Sequence, residues 1–260
     1  MRSAAPIQTD ERSLDQSLRR FRTTHQVVRR QLVGASWSYF DCGHGAATLL
    51  LLPGAPGLAE MAFPYLLAFE PRYRMLAPSY PPSVGRLDQL LDGLIALLQA
   101  ETDQPVHLIG DTGVPQLARA YRHHLLLAAI ERLPRLGLHA VLLATLAKVL
   151  RGTTAHHRFW QRYLRAVVAT ITLPEIANRL GIMIEMDQRG QRLGTGSGWR
   201  GPTLLIETAD DPLFAPAERA ALRKRFPQAE LHRFYNQGHT TALTRFDEYI
   251  GLMQVFLARQ

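Results

Sequence analysis

Two hydrophobic periods alternate along most of this chain. Short apolar runs bounded by glycine, proline or aspartate predict strands at 36–41 (SWSYFD), 48–52 (TLLLL), 74–78 (RMLAP), 106–110 (VHLIG), 203–208 (TLLIET) and 230–235. Helical spacing predicts helices at 59–70, 86–101, 217–226 and 246–258. The second is the clearest, with Leu87, Leu90, Leu91, Leu94, Ile95 and Leu98 on one stripe. A further helix is expected just beyond 106–110. Residues 138–144 (LHAVLLA) read as a strand, with a helix as the other reading of the same run and 125–130 as the alternative strand. From about Leu146 to Arg189 the pattern is helical, and Thr172-Leu173-Pro174-Glu175 has the spacing of a capping box with an early proline. Residues 190–201 are glycine-rich and read as a loop. Residues 1–24 are polar and unpatterned, and read as a tail or a loosely docked arm.

Strands alternating with helices predict an α/β fold, a mostly parallel central sheet with helices on both faces. The helical stretch without a strand then reads as a short cap inserted at about 146–199. Ligands of such sheets bind outside the carboxyl ends of the strands. That directs attention to Gly54-Ala55, Asp111-Thr112, Asp210-Asp211 and His239.

Composition removes several classes. Hydrophobic residues make up 47% and charged residues 20%, which fits neither disorder nor a fibrous repeat. The single cysteine, Cys42, excludes an intramolecular disulfide and a cysteine-rich metal site, and is read as structural. Thirty basic against twenty-two acidic side chains leave a net charge of +8. Only Lys148 and Lys224 are lysines. The arginines are scattered apart from Arg19, Arg20, Arg22, Arg29 and Arg30, and no basic stripe with interleaved aromatics accompanies them, so nucleic acid is not expected as a partner. No apolar run approaches the ~20 residues of a membrane span. No targeting segment is expected, and a cytoplasmic location is the default.

The candidate chemistry lies after the strands. The segment 106–114 (VHLIGDTGV) puts Gly110, Thr112 and Gly113 where a strand–turn–helix nucleophile elbow, G-x-S-x-G, carries its first glycine, its serine and the residue after it. Thr112 stands for the serine, and Val114 stands where the second glycine belongs. Downstream, 203–216 ends a strand in Asp210-Asp211-Pro212, with Asp211 as the acid and Asp210 as the alternate. Then 231–243 carries Gly238-His239 after a strand. The order Thr112, Asp211, His239 is the hydrolase order of nucleophile, acid and base. The pairs His123-His124 and His156-His157 cannot chelate as dipeptides, because adjacent helical residues diverge, so no metal is expected. The G-x-G-x-G in 194–201 lacks a preceding strand, and no dinucleotide or other cofactor is expected.

Over roughly residues 30–258 the sequence resembles the α/β-hydrolase superfamily, and most of all its maspardin-like branch. The resemblance rests on Phe21-Arg22, 37–41 (WSYFD), 51–54 (LLPG), Tyr80-Pro81, VHLIG before the elbow, and 173–180 (LPEIANRL). It implies an α/β-hydrolase domain over 25–260, with oxyanion-hole N–H groups at Ala55 and Gly113. The maspardin-like branch implies a non-catalytic protein-binding role, with serine kept at the elbow and the base lost from the histidine position. This chain does the reverse, keeping His239 and replacing the serine with Thr112. Two expectations follow. One is a cofactor-free hydrolase acting on an ester or related carbonyl of a small molecule. The alternative is a catalytically inactive hydrolase fold that binds a protein partner.

Overall fold

A sheet buried on both faces needs apolar side chains at successive positions, and the chain supplies them. In the computed structural model, which describes residues 11–54, 56–110, 135–192 and 199–260, β3 (Thr48–Leu51) is buried at every position. It lies between β4 (Arg74–Ser79) and β5 (Val106–Ile109), parallel to both. β2 (Ala35–Cys42) pairs antiparallel with the far edge of β4, and β1 (Val27–Leu32) pairs antiparallel with β2, giving the order β1-β2-β4-β3-β5. A separate parallel pair is formed by β6 (Leu204–Thr208) and β7 (Glu230–Phe234). The strands expected at 36–41, 48–52, 74–78, 106–110, 203–208 and 230–235 are therefore present within a residue or two.

β1 adds a strand that the hydrophobic pattern does not predict, because its sequence, VVRRQL, is mostly exposed and only Val28 and Leu32 pack against the core. Its hairpin to β2 turns through Val33 and Gly34, both at positive φ (48° and 74°). That is the backbone of a two-residue primed turn, and it matches the twist of the flanking strands.

Alternation along the strands sorts the core into two layers. Leu49, Leu51, Met75, Ala77 and Phe40 face one way, while Leu50, Leu76 and Tyr39 face the other. The second face is covered by α3 (Leu87–Glu101), whose Leu87, Leu90 and Leu94 enclose Trp37. Gly93 makes that approach possible, since a Cβ there would lie 2.1 Å from the Trp37 ring. The first face is covered by α1 (Glu11–Thr24), by α2 (Phe63–Phe69) with the 3₁₀ turn Ala59–Ala62 before it, by α5 (Ala155–Thr170) and by α9 (Phe246–Leu257).

The polar arm expected over 1–24 is corrected for its described part. Residues 11–24 form an amphipathic helix whose Leu14, Leu18 and Phe21 are buried, with the Phe21 ring 4.8 Å from Phe40. Its arginines are partly committed. Arg22 makes a two-pronged ion pair to Glu60 (2.8 and 2.6 Å), and beyond the helix Arg30 pairs with Glu101 at 2.8 Å.

Of the two readings of 138–144 the helix is the one present, and the strand is corrected, because these residues lie inside α4 (Arg135–Val149). The run is rich in leucine and alanine, which favour helix, and holds a single β-branched residue, Val141. Its alternative, 125–130, lies outside the described residues, as does the helix expected after 106–110. α4, α5 and α6 (Leu173–Arg192) lie between β5 and β6 in sequence, and α6 runs into the stretch 190–201 expected as loop. α5 is part of the main body, with Phe159 and Trp160 fully buried against Phe63. α6 instead lies over the segment joining β4 to α3. Asn178 donates to Pro82 O (2.8 Å), and Glu185 accepts the N–H of Leu87 (2.7 Å) at the start of α3. No single described helix is long and apolar enough to cross a membrane.

Candidate active site

Parallel pairing puts the ends of β6 and β7 at one edge, with Thr208 opposite Phe234. The ladder continues one step, from Ala209 N–H to Phe234 O at 2.9 Å, and then the chains part into loops 209–215 and 235–240. Both expected polar residues of the first loop reach the second. Asp211 Oδ2 lies 2.9 Å from His239 Nδ1. The other oxygen of Asp211 accepts the N–H of Leu213 at 2.8 Å, an Asx turn that fixes the carboxylate plane. Asp210 accepts the N–H groups of Gln237 (3.2 Å) and Gly238 (3.1 Å), so it grips the backbone of the histidine loop rather than the ring. The two adjacent aspartates thus divide the work, one on the imidazole and one on the loop that presents it. Partial burial pushes the Asp210 carboxyl up, but the N–H donors of Gln237 and Gly238 outweigh it and hold the group below the usual carboxylate range.

The ring is oriented chemically as well as sterically. A carboxylate only accepts, so the Asp211 bond requires the proton on Nδ1 and leaves Nε2 as the basic nitrogen. The His239 side chain is 23% exposed and that of Asp211 11%, a pair sheltered from water but reachable. The Phe214 ring packs 5.7 Å from the imidazole. Arg219 of α7 (Pro216–Arg225) ties the first loop down by donating to Ala209 O (2.6 Å) and to Phe214 O.

Behind His239 the chain makes one helical turn, α8 (Thr241–Thr244). Gly238 enters it at φ +69°, where no side chain would clash, so its role there is conformational. Thr241 Oγ1 donates to Gly238 O (3.0 Å) and lies 2.9 Å from Thr208 Oγ1, joining the turn to the end of β6. Three successive carbonyls of the turn then meet three ring side chains. Tyr65 OH donates to Ala242 O (2.5 Å), Trp160 Nε1 donates to Leu243 O (2.8 Å), and His156 Nδ1 lies 2.6 Å from Thr244 O. These positioning residues come from α2 and α5, and no local motif announces them. His157 turns elsewhere, to Thr154 Oγ1 at 2.7 Å, so the His156-His157 pair has no common target.

The other expected residues follow β3 and β5 in sequence. Leu52 N–H donates to Ile109 O (2.8 Å), which brings Leu52, just before Pro53-Gly54, beside Gly110. Ala55, Thr112 and Gly113 lie outside the described residues, as do Asp111, Val114, His123 and His124. Beyond Gly54 the chain turns back, with Gly57 N–H donating to Gly54 O and Tyr80 N–H donating to Gly57 O, each at 2.8 Å. Over this turn lies Arg179 of α6, a residue that the sequence pattern does not single out. Its guanidinium donates through Nη2 to Tyr80 O and sits 5.4 Å above the Tyr80 ring. Burial lowers its pKa, opposed by the charge of Glu175 one turn earlier.

One group among the described residues has metal-ligand composition. His25, Cys42 and Glu70 bring their ligand atoms within 4.8 Å of one another. His25 Nε2 and Glu70 Oε2 satisfy each other at 2.6 Å, and burial, then the charge of Glu70, pushes the Cys42 thiol up to about 12. Among the described residues the trio reads as a histidine–carboxylate hydrogen bond beside a buried thiol. A groove of about 380 Å³ bordered by Arg22, Phe40, Glu60 and Tyr163 contains neither Asp211 nor His239.

No family model matches the sequence, and no curated protein does. Solved structures match at the level of fold. An esterase from Exiguobacterium antarcticum superposes with a TM-score of 0.72 at 11% identity, over 90% of this chain and 100% of its own. An enol-lactonase from Burkholderia xenovorans LB400 gives 0.69 at 18% identity, over 89% and 100%. An α/β hydrolase fold protein from Burkholderia ambifaria gives 0.69 at 13% identity, over 88% and 98%. The chain has the α/β-hydrolase fold.

Proposed function

We propose that this protein is a cofactor-free hydrolase that cleaves an ester or related carbonyl compound of small size. The observation that carries the reading is the Asp211–His239 pair, 2.9 Å apart at the carboxyl edge of two parallel strands, with its loop held by Asp210. A carboxylate on Nδ1 serves to fix a tautomer and to stabilise an imidazolium, which is the support a general base needs. The esterase and the enol-lactonase of the same fold act on substrates of the proposed class.

In this reading Thr112 Oγ attacks the carbonyl carbon as His239 Nε2 takes its proton. Asp211 stabilises the resulting cation, and backbone N–H groups of Ala55 and Gly113 receive the oxyanion. His239 then passes the proton to the leaving alcohol. Water, activated by the same nitrogen, releases the acid and restores Thr112. The β-branch of Thr112 restricts χ1 in a turn built for serine, so a slow enzyme is expected.

The second reading is a maspardin-like, inactive protein-binding module. It is favoured by threonine in place of serine and by Val114 in place of the second glycine. Hydrolysis of p-nitrophenyl butyrate decides between the two. On the hydrolase reading wild type turns over, Thr112→Ala and His239→Ala each lose at least ~10²-fold, and Thr112→Ser is faster than wild type. Background rates for wild type and all variants, repeated with p-nitrophenyl acetate, would leave the binding module standing.

A further inference from the structure

Arg179 is 8% exposed, yet its Nε and Nη1 have no hydrogen-bond partner among the described residues. Of the five N–H bonds of a guanidinium, these two nitrogens carry three. Removing a charge from water without pairing it is among the more costly arrangements a fold can contain. Stacking on Tyr80 and one bond to its carbonyl compensate only part of that cost. Glu175, one turn earlier on the same helix, acts on it through charge, and no hydrogen bond between the two is found among the described residues.

Its location gives the unpaired charge a meaning. A Cβ added at Gly57 would lie 2.9 Å from Arg179 Cζ, so the guanidinium rests on the turn that follows β3, and Tyr80 directly follows β4. β3 and β4 are parallel, and both segments leave their carboxyl ends, where ligands of such sheets bind. The turn at Gly57 closes back on Gly54, the segment in which the proposed hydrolase reading seeks an oxyanion donor. The segment after Gly57 runs into α2, whose Tyr65 holds the turn after His239.

We propose that Arg179 receives a carboxylate of the substrate, so that the preferred substrate is an anionic ester, such as the half-ester of a dicarboxylic acid. This assignment of substrate class rests on the hydrolase reading. The anion site itself does not. One guanidinium with a carboxylate a helical turn away suits a singly charged group better than a phosphate dianion. The carboxylate completes the donor set of the guanidinium on binding and leaves the ester at the carboxyl edge of the sheet.

The test pairs binding with turnover, in wild type and Arg179→Met. Methionine approximates the volume without the charge, so the unliganded variant is expected to melt at or above the wild-type temperature. Glutarate is expected to raise the melting temperature of wild type, and the variant is expected to lose ~10–100-fold in glutarate affinity. The kcat/KM ratio of mono-p-nitrophenyl glutarate over p-nitrophenyl butyrate is expected to fall by a similar factor. No glutarate shift, or an equal shift in both proteins, overturns the site. An Arg179-dependent shift with inorganic phosphate alone overturns the carboxylate assignment. Turnover of the butyrate ester without either glutarate effect keeps the hydrolase and removes the anion site. An Arg179-dependent glutarate shift without ester turnover keeps the site and removes the hydrolase reading.

Discussion

Asp210 and Asp211 are neighbours in sequence with different partners, and substitutions should separate them. Asp211→Asn keeps the size of the side chain but removes the charge that stabilises the His239 cation. Hydrolysis is expected to fall on the order of 10³–10⁴-fold with little change in melting temperature. Asp210→Asn leaves the ring contact in place and weakens two bonds to the backbone of Gln237 and Gly238, so the loss of activity is expected to be smaller. It should also alter the acid limb of stability. The folded carboxyl of Asp210 lies below its ordinary value. Its contribution is therefore complete above the unfolded carboxylate pKa, about 3.9, and is lost as pH falls through the lower folded value. The melting-temperature gap between wild type and Asp210→Asn should narrow as pH is taken from 6 toward 3, and a constant gap would reject that role. The sequence by itself offers both aspartates for one task. A turn sequence such as Asp-Asp-Pro states that carboxylates leave the strand, but not which of them meets a ring 28 residues away. Arg179 is less legible still. A single arginine in an amphipathic helix reads as a solvated residue, and only packing against Gly57 and Tyr80 shows that it is buried.

Among the elements, the legible ones have a single strong period. β3 is buried throughout, and the predicted ends of β3 and α3 lie near the observed ones, although of the leucine stripe expected in α3 Leu87, Leu90 and Leu94 are buried while Leu91 and Ile95 are exposed. α1 is hidden in the sequence because only Leu14, Leu18 and Phe21 of its fourteen residues are buried, a stripe too thin to stand out from its polar surroundings. Its contribution is nevertheless large, since Phe21 joins the cluster containing Phe40 and Phe63. Leu18→Ala is expected to destabilise the fold by about 2–5 kcal/mol, read as a lowered urea midpoint at constant m-value. A loosely docked arm would show a change within about 0.5 kcal/mol. α4 misleads for the opposite reason. Its apolar residues show almost no helical period even over all fifteen positions, so only length and leucine–alanine composition separate it from a strand.

At the scale of the whole molecule, the α/β alternation is enough to place the carboxyl ends of the strands, and among the described candidates Gly54 follows β3, Asp210 and Asp211 follow β6, and His239 follows β7. What the alternation cannot convey is how distant segments share one loop. The turn behind His239 receives donors from Tyr65, Trp160 and His156, between 83 and 177 residues away in sequence for the three bonds. This gives the protein a built-in optical gauge. Trp160 is one of three tryptophans, fully buried, with its indole N–H on Leu243 O. With Trp37 and Trp199 replaced by phenylalanine, the emission wavelength of the remaining indole would follow the seating of that turn. A ligand that pulls His239 inward, or a substitution that releases it, would then show as a spectral shift without any reaction taking place.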